Sequence, residues 1–200
     1  MNEEASKQWN NLLDPEILST NLKTASIYIA AYEILKDSII GRLTDFFSVW
    51  SDDGCFKPTQ DYKTYVLSRN KSPLYASLDW FREMDAISSD DLNNFEEIKQ
   101  LRNELAHEMP RHLSQGMGND FFKTFALMFE FLNKIETWWI VNMEIPVDSD
   151  FDGQTVEDKD VFSGRQLLLQ MMFDVALGKK EDANKYLDMF NQEKPGNLRG

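Results

Sequence analysis

The sequence is poor in cysteine and has no long apolar run. Cys55 is the single cysteine among 200 residues, so an intramolecular disulfide framework is excluded and a reducing compartment is expected. No window approaches about 18 consecutive uncharged apolar residues, the length that a membrane-spanning helix requires. Residues 1–5 lack the basic and apolar regions of a secretory signal. We therefore expect a soluble cytoplasmic protein that has no contact with a membrane.

Basic residues are also scarce relative to acidic ones. The chain has 21 Lys and Arg against 34 Asp and Glu, which gives a net charge of −13 and a pI near 4.6. Such a surface repels nucleic acid on average, so a general nucleic-acid binder is disfavoured and no DNA partner is expected. An enzyme that contacts one RNA phosphate at a time through a few Arg and Lys residues remains compatible with this charge.

Apolar residues recur at helical spacing along most of the chain, and no strand-like alternation is found. Asp14 and Pro15 are typical of a helix start, as are Ser88 to Asp91. Gly41 could divide the helix that starts at residue 17, and Pro110 is expected to close the helix that starts at residue 88. Segment 61–69 is a short helix. The predicted helices are 17–50, 61–69, 72–84, 88–109, 121–143, 160–177 and 181–190. The fold class is all-α, a helical bundle of about five to six helices when one or both of the short segments 61–69 and 181–190 are left out.

The predicted domain organisation is one bundle with an appendage. It comprises a helical bundle over residues 1–145, an acidic loop over 146–160, helices over 161–192 that pack on the same domain, and a tail over 193–200. The helix that starts at residue 121 is apolar around most of its circumference. Such a helix is either central in the core or shared between the core and a partner chain, which gives mild support to a symmetric dimer.

The residues that suggest chemistry lie in segment 101–107. Asn103 and His107 are four residues apart, so on a helix they lie on one face. Arg102 lies about 100° away around the axis, at the border of the apolar stripe. A guanidinium binds phosphate and an imidazole transfers protons near neutral pH, and together they suit phosphodiester chemistry. On the same polar side, Glu96 and Gln100 continue the line toward the helix start.

This segment resembles the motif of the HEPN domain superfamily: an Arg followed by Asn, three further residues and then His, late in the third main helix of a small α-bundle. The residues before it (96–101) and at its end (106–108) resemble the commonest form of the motif. On the first long helix, residues 30–37 are similar to the first helix of several HEPN groups. The resemblance covers about residues 15–143.

The resemblance implies a metal-independent endoribonuclease that works as a homodimer, with two motifs facing one another across a shared cleft and no cofactor. His107 would act as general base or acid, and Arg102 would hold the scissile phosphate. Asn103 would orient His107 or the phosphate. A toxin or phage-defence effector with an antitoxin or other protein partner fits this activity. Because many HEPN domains only bind or dimerise, the alternative is a non-catalytic module for a nucleotide or a protein partner.

Plainer interpretations of the same residues stay open. Arg102 could form an ordinary surface pair with a neighbouring glutamate, and His107 could cap the helix end. Glu33 could be buried against Arg102 as an ion pair or extend into solvent. Four further side chains are second-tier candidates for contact with RNA: Glu96, Lys99, Arg111 and His112. For Arg111 and His112, a solvated pair in a loop is the simpler interpretation.

The acidic loop contains a weak calcium candidate. Asp148, Asp150 and Asp152, followed by Gly153, match the opening of an EF-hand loop between two predicted helices. The twelfth position of such a loop should be a bidentate glutamate but is Lys159, and a cation is a poor ligand there. A solvated acidic loop is the favoured interpretation, and no other metal site is expected.

Overall fold

The computed structural model describes residues 2–178 and 184–193, and helices make up most of them. The α-helices are α1 (Glu3–Leu13), α2 (Pro15–Phe46), α3 (Pro73–Glu83), α4 (Ser89–His107), α5 (Met109–Gln115), α6 (Asn119–Trp139), α7 (Gly164–Leu177) and α8 (Lys185–Glu193). A single two-stranded hairpin in this part of the chain pairs β1 (Ser48–Trp50) with β2 (Phe56–Pro58). The all-α prediction is confirmed. None of the described helices is long and apolar enough to cross a membrane.

Short non-α helical turns join these elements. Tyr62–Val66 is a π-helix that continues into a 3₁₀ turn, Leu67–Arg69. A second π-helix, Ile140–Glu144, extends α6. The acidic segment after it forms the 3₁₀ turns Ile145–Val147, Ser149–Phe151 and Asp158–Asp160. The predicted helix over 61–69 is therefore present, as a π and 3₁₀ segment.

The predicted helix starts are confirmed by their caps. The Asp14 carboxylate accepts hydrogen bonds from the backbone N–H groups of Glu16 and Ile17, at 2.9 and 3.1 Å. At the start of α4, Ser88 and Asp91 form a reciprocal capping box. Both arrangements satisfy N–H groups that have no partner within the helix. α2 runs through Gly41 without interruption.

The helix count was too low, because α1 and α5 were not predicted. α4 ends at His107, and Pro110 lies in the first turn of α5 instead of closing α4. Proline is compatible with a first turn because the N–H group that it lacks would have no helical acceptor there. Arg111 and His112, expected in a loop, are consequently helical.

The absence of strands was also wrong. α2 ends at Phe46, and the following residues turn back on themselves so that Val49 lies opposite Lys57. Each strand has three residues, which is too short for alternation to be recognised in the sequence. The turn after β1 includes Gly54 at a φ of 75°, a left-handed conformation that glycine adopts without strain.

The core forms around α2, which contacts α3, α4, α6 and α7. Tyr28 of α2 is fully buried, and its hydroxyl donates to the backbone carbonyl of Ile98 in α4 at 3.1 Å. α6 is apolar around most of its circumference because it contacts α2, α4 and α7 at once. Its central position therefore accounts for most of that apolar surface, while Phe122 remains 57% exposed.

A buried carboxylate connects α2, α6 and α7. Glu136 of α6 is fully buried, and its Oε2 lies 2.7 Å from Nη2 of Arg42 in α2. Its Oε1 lies 3.5 Å from Nη1 of Arg165 in α7. Arg165 also reaches Asp37 of α2 at 2.7 Å. The first C-terminal helix thus packs on the bundle, whereas residues 194–200 of the expected tail lie outside the described residues.

Replacing Glu136 by alanine should destabilise the protein strongly. The substitution leaves Arg42 and Arg165 without their buried counter-charge, and we expect the free energy of unfolding to fall by about 3 kcal/mol. Urea denaturation at neutral pH measures this change. Glu97→Ala is the control, because Glu97 pairs with Lys123 at 2.9 Å on the exposed surface. Equal losses from the two substitutions would contradict the role given to Glu136.

Candidate functional site

The polar side of α4 forms an open groove of about 390 Å³. The opposite side of the helix buries Phe95, Ile98 and Leu105 against the core, so the polar line faces away from the bundle. All four residues of the predicted polar line border the groove, together with three neighbours. The bordering residues are Glu96, Lys99, Gln100, Asn103, Glu104, His107 and Glu108. The structure thus brings Asn103 and His107 to one accessible surface.

Arg102 lies beside this groove and is directed toward α2. Its Nη2 donates to Oε1 of Glu33 at 3.0 Å, and its guanidinium carbon lies 5.4 Å from the ring centre of Tyr32. A longer bond of 3.4 Å joins Nη1 to Oδ1 of Asn103. Glu33 thus forms the ion pair with Arg102, but it is exposed and not buried. The Arg102 side chain is 29% exposed, while its Nε is buried without a hydrogen-bond partner among the described residues.

The ion pair changes the acidity of Glu33. Burial alone raises the pKa of this carboxyl, but hydrogen bonds from Lys36 and Arg102 outweigh burial, and the pKa lies below its ordinary value. The pair therefore contributes to stability above the ordinary carboxyl pKa and loses this contribution as pH falls through the lowered value. In Tyr32, burial is the main cause that raises the phenol pKa.

Tyr75 of α3 is a site residue that the sequence did not indicate. Its hydroxyl donates to Oε1 of Glu96 at 2.6 Å and accepts a hydrogen bond from the Lys99 ammonium. The ammonium nitrogen lies 4.6 Å from the ring centre of Tyr75. The hydrogen bond to Tyr75 raises the pKa of Lys99. No local pattern could have revealed this contact, because Tyr75 and Lys99 are 24 residues apart in sequence and lie on different helices.

Two cations of α4 are therefore held in the same way. Arg102 lies against Tyr32 and Lys99 against Tyr75, and each is paired with a carboxylate. Both tyrosine rings also contact Phe95, with centroid distances of 6.2 and 6.5 Å. A cation over an aromatic face keeps its charge while losing mobility. The arrangement fixes two positive charges on α4, four residues and one residue before Asn103.

The second-tier residues of α5 differ in position. Arg111 lies at the end of the groove, where it pairs with Glu108 at 2.7 Å and with Glu104 at 3.7 Å. His112 does not border the groove, and its Nε2 is buried without a hydrogen-bond partner among the described residues. The structure thus brings Glu96 and Lys99 into the groove, places Arg111 at its margin and leaves His112 outside.

The aspartates of the acidic loop do not converge. The Asp148 carboxylate accepts a hydrogen bond from the backbone N–H of Asp150 at 3.0 Å, as in a helix cap. Across residues 2–178 and 184–193, no group of three or more His, Cys, Asp or Glu side chains is placed to hold a metal ion. The geometry gives no support to the calcium hypothesis for Asp148, Asp150 and Asp152.

Comparisons of the chain with protein families, with characterised proteins and with solved structures gave no match. The site consists of an accessible imidazole, an amide one turn before it and a guanidinium held at the margin by Glu33.

The pKa of Glu33 reports on the position of Arg102. In the Arg102→Met variant we expect this pKa to rise toward the ordinary carboxyl value, because one hydrogen-bonded cation is removed while Lys36 remains. A pH titration of the Glu33 carboxyl carbon by NMR measures the shift. Arg111→Met serves as the control and should leave the Glu33 titration unchanged. An unaltered pKa in Arg102→Met would show that the ion pair does not form in solution.

Proposed function

We propose that this protein is a metal-independent endoribonuclease of the HEPN type, active as a homodimer and serving as a toxin or phage-defence effector. The observation that carries the proposal is the position of Asn103 and His107 in the accessible groove of α4, with Arg102 held beside it by Glu33. These residue types supply a proton carrier, a neutral orienting group and a phosphate ligand. Such an activity harms its own cell, so an inhibiting protein partner is part of the proposal.

His107 acts on the ribose. It is the last residue of α4 and its side chain is exposed, so an RNA strand can reach its ring without rearrangement of the bundle. An imidazole takes the proton of the 2′-hydroxyl as that oxygen attacks the adjacent phosphorus. The 5′-oxygen leaves, and the product strand ends in a 2′,3′-cyclic phosphate. Asn103, one turn earlier on the same face, orients the imidazole or the phosphate.

Arg102 binds the scissile phosphate. A guanidinium has five N–H donors, of which two are engaged here, by Glu33 and by Asn103. The Nε is buried, so one N–H on each Nη remains for a phosphate. Glu33 and the Tyr32 ring hold the guanidinium plane in one orientation, which lowers the entropy lost when phosphate binds. The remaining donors stabilise the charge that develops on the phosphate oxygens. Lys99, fixed on Tyr75, offers a second positive charge to a neighbouring phosphate.

A dimer supplies what one chain lacks. Strand cleavage needs a base for the 2′-hydroxyl and an acid for the leaving oxygen, but the groove of one chain contains a single histidine. A two-fold axis beside α4 places a second His107 opposite the first, so that one imidazole accepts the proton and the other donates one. The open face of α4 leaves room for such a partner.

The second candidate is a non-catalytic HEPN module that binds a basic protein partner or a nucleotide. One observation favours it: three carboxylates border the groove beside one lysine. Glu104 and Glu108 are partly offset by Arg111, but Glu96 and Glu33 already engage the two fixed cations. A basic protein segment would meet less repulsion on this surface than RNA would.

Cleavage of RNA in EDTA tests the first candidate. The protein should cut single-stranded or structured RNA without metal and leave 2′,3′-cyclic phosphate ends. His107→Ala should reduce the rate by a factor of about 10² to 10⁴, the usual contribution of a general acid–base group. His112→Gln is the matched control, since His112 lies outside the groove, and it should retain cleavage. Circular dichroism confirms that both variants are folded.

Two results would reject the ribonuclease. One is full cleavage by His107→Ala, and the other is the absence of cleavage and of toxicity on overexpression of the unchanged protein. The second result, together with capture of a partner that depends on Glu104 and Glu108, is the outcome expected of the non-catalytic module.

The shared site predicts that His107→Ala is dominant over the unchanged chain. The two proteins, refolded together in equal amounts, form about one half mixed dimers if association is random. A mixed dimer has a single His107, so it lacks either the base or the acid, and RNA cleavage should fall to about one quarter of that of the same total amount of unchanged protein. A fall to about one half would mean that each chain works independently.

A further inference from the structure

A second cleft, separate from the groove, lies between the start of α4 and the middle of α6. Its volume is about 600 Å³, within the range of small-ligand pockets. It shares no bordering residue with the groove that contains His107. Asp85 and Asn94 border it on one side, Glu130 and Trp138 on another, and Asp158 from the acidic segment closes a third. We call it the α4–α6 cleft.

The charges of the α4–α6 cleft are unbalanced. Asp85, Glu130 and Asp158 have no ion pair with any side chain of the described residues. Two lysines border the cleft, and both are already paired. Lys134 contacts Asp91 at 2.6 Å, and Lys159 contacts Glu157 at 2.5 Å. Four carboxylates and two ammonium groups border the cleft, so its charge is net negative, and three of the carboxylates have no ion pair with a described residue.

The neutral residues of the cleft add acceptors to these charges. Thr137 is 8% exposed and borders the cleft, and its buried Oγ1 has no hydrogen-bond partner in the part of the chain described. An unpaired buried hydroxyl costs stability unless a ligand or water satisfies it. Asn142 donates through Nδ2 to the backbone carbonyl of Trp138 at 2.8 Å, which leaves its side-chain oxygen as an acceptor.

An aromatic wall completes the cleft. Trp138 is half-buried and packs against Trp80 and Phe81. The ring centroid of each lies 6.0 Å from that of Trp138, and each ring plane is nearly perpendicular to the indole. A fixed indole attracts cations to its face and covers apolar methylene groups. Carboxylates, lone-pair acceptors and an indole together match one class of ligand, a flexible organic cation that alternates ammonium groups with short alkyl segments.

We propose that the α4–α6 cleft binds a small aliphatic polyamine. The carboxylates of Asp85, Glu130 and Asp158 pair with separate ammonium groups, the Thr137 hydroxyl accepts a hydrogen bond from one of them, and Trp138 covers the methylene groups. An inorganic divalent cation does not fit this arrangement, because no three carboxylates among the described residues lie close enough together to coordinate one.

Calorimetric titration of the full chain with spermidine tests the proposal. We expect saturable binding at one site per chain, and a double variant Asp85→Asn, Glu130→Gln should bind at least about tenfold more weakly. Thr137→Val, which keeps the shape of the side chain, should weaken binding severalfold. Asp52→Asn is the matched control: Asp52 is exposed in the hairpin turn without an ion pair to a described residue, and its loss should not alter binding.

Other outcomes overturn the proposal. The first is a heat of binding that does not saturate, the second is an equal loss of spermidine affinity in Asp52→Asn, and the third is displacement of spermidine by magnesium ions at equal charge concentration. Each of these indicates general attraction to the acidic surface. A single-residue variant, Glu130→Gln, keeps the test valid if the double variant does not fold. The ribonuclease proposal is unaffected by failure here, since the two sites share no residue.

Discussion

The buried carboxylate of Glu136 is the interaction on which the arrangement of the bundle depends. It fixes α2, α6 and α7 against one another through Arg42 and Arg165. Burying a carboxylate is costly, and the cost is offset only when both guanidinium groups keep their geometry. The helices therefore cannot slide relative to one another without leaving a buried charge unpaired. Because α4 packs on both α2 and α6, the register of the candidate site is set by this distant contact.

Cations in the candidate site are also held by carboxylates, here at the surface. Arg102 and Lys99 lie three residues apart on α4, and each is restrained by a tyrosine of another helix and by a carboxylate. Flexible cations at a surface lose much side-chain entropy when they bind phosphate. Prior restraint by Tyr32 and Tyr75 removes part of that loss. Preorganisation of this kind lowers the cost of binding an anion relative to mobile helix-surface charges, which supports the proposed role of the two cations.

Features encoded by neighbouring residues were predictable from the sequence, and features that need the folded chain were not. Helix starts at Asp14 and Ser88 depend on local capping, and the groove face of α4 depends on helical periodicity. Pro110 was misread because the same residue suits the position after one helix and the first turn of the next. The hairpin and the contact of Tyr75 with Lys99 arise from tertiary packing, which leaves no local pattern.

The acidic surface limits how the proposed enzyme recognises RNA. With a net charge of −13, the long-range field repels a polyanion, and the glutamates of the groove extend that repulsion to the site. Attraction is then confined to phosphates that touch Arg102 and Lys99 directly. Such binding would contact few nucleotides and hold them weakly, so in the proposed dimer the selection of a target would depend on the shape of the cleft between the two chains. The charge that disfavours a general RNA binder is therefore compatible with a ribonuclease that contacts one or two phosphates.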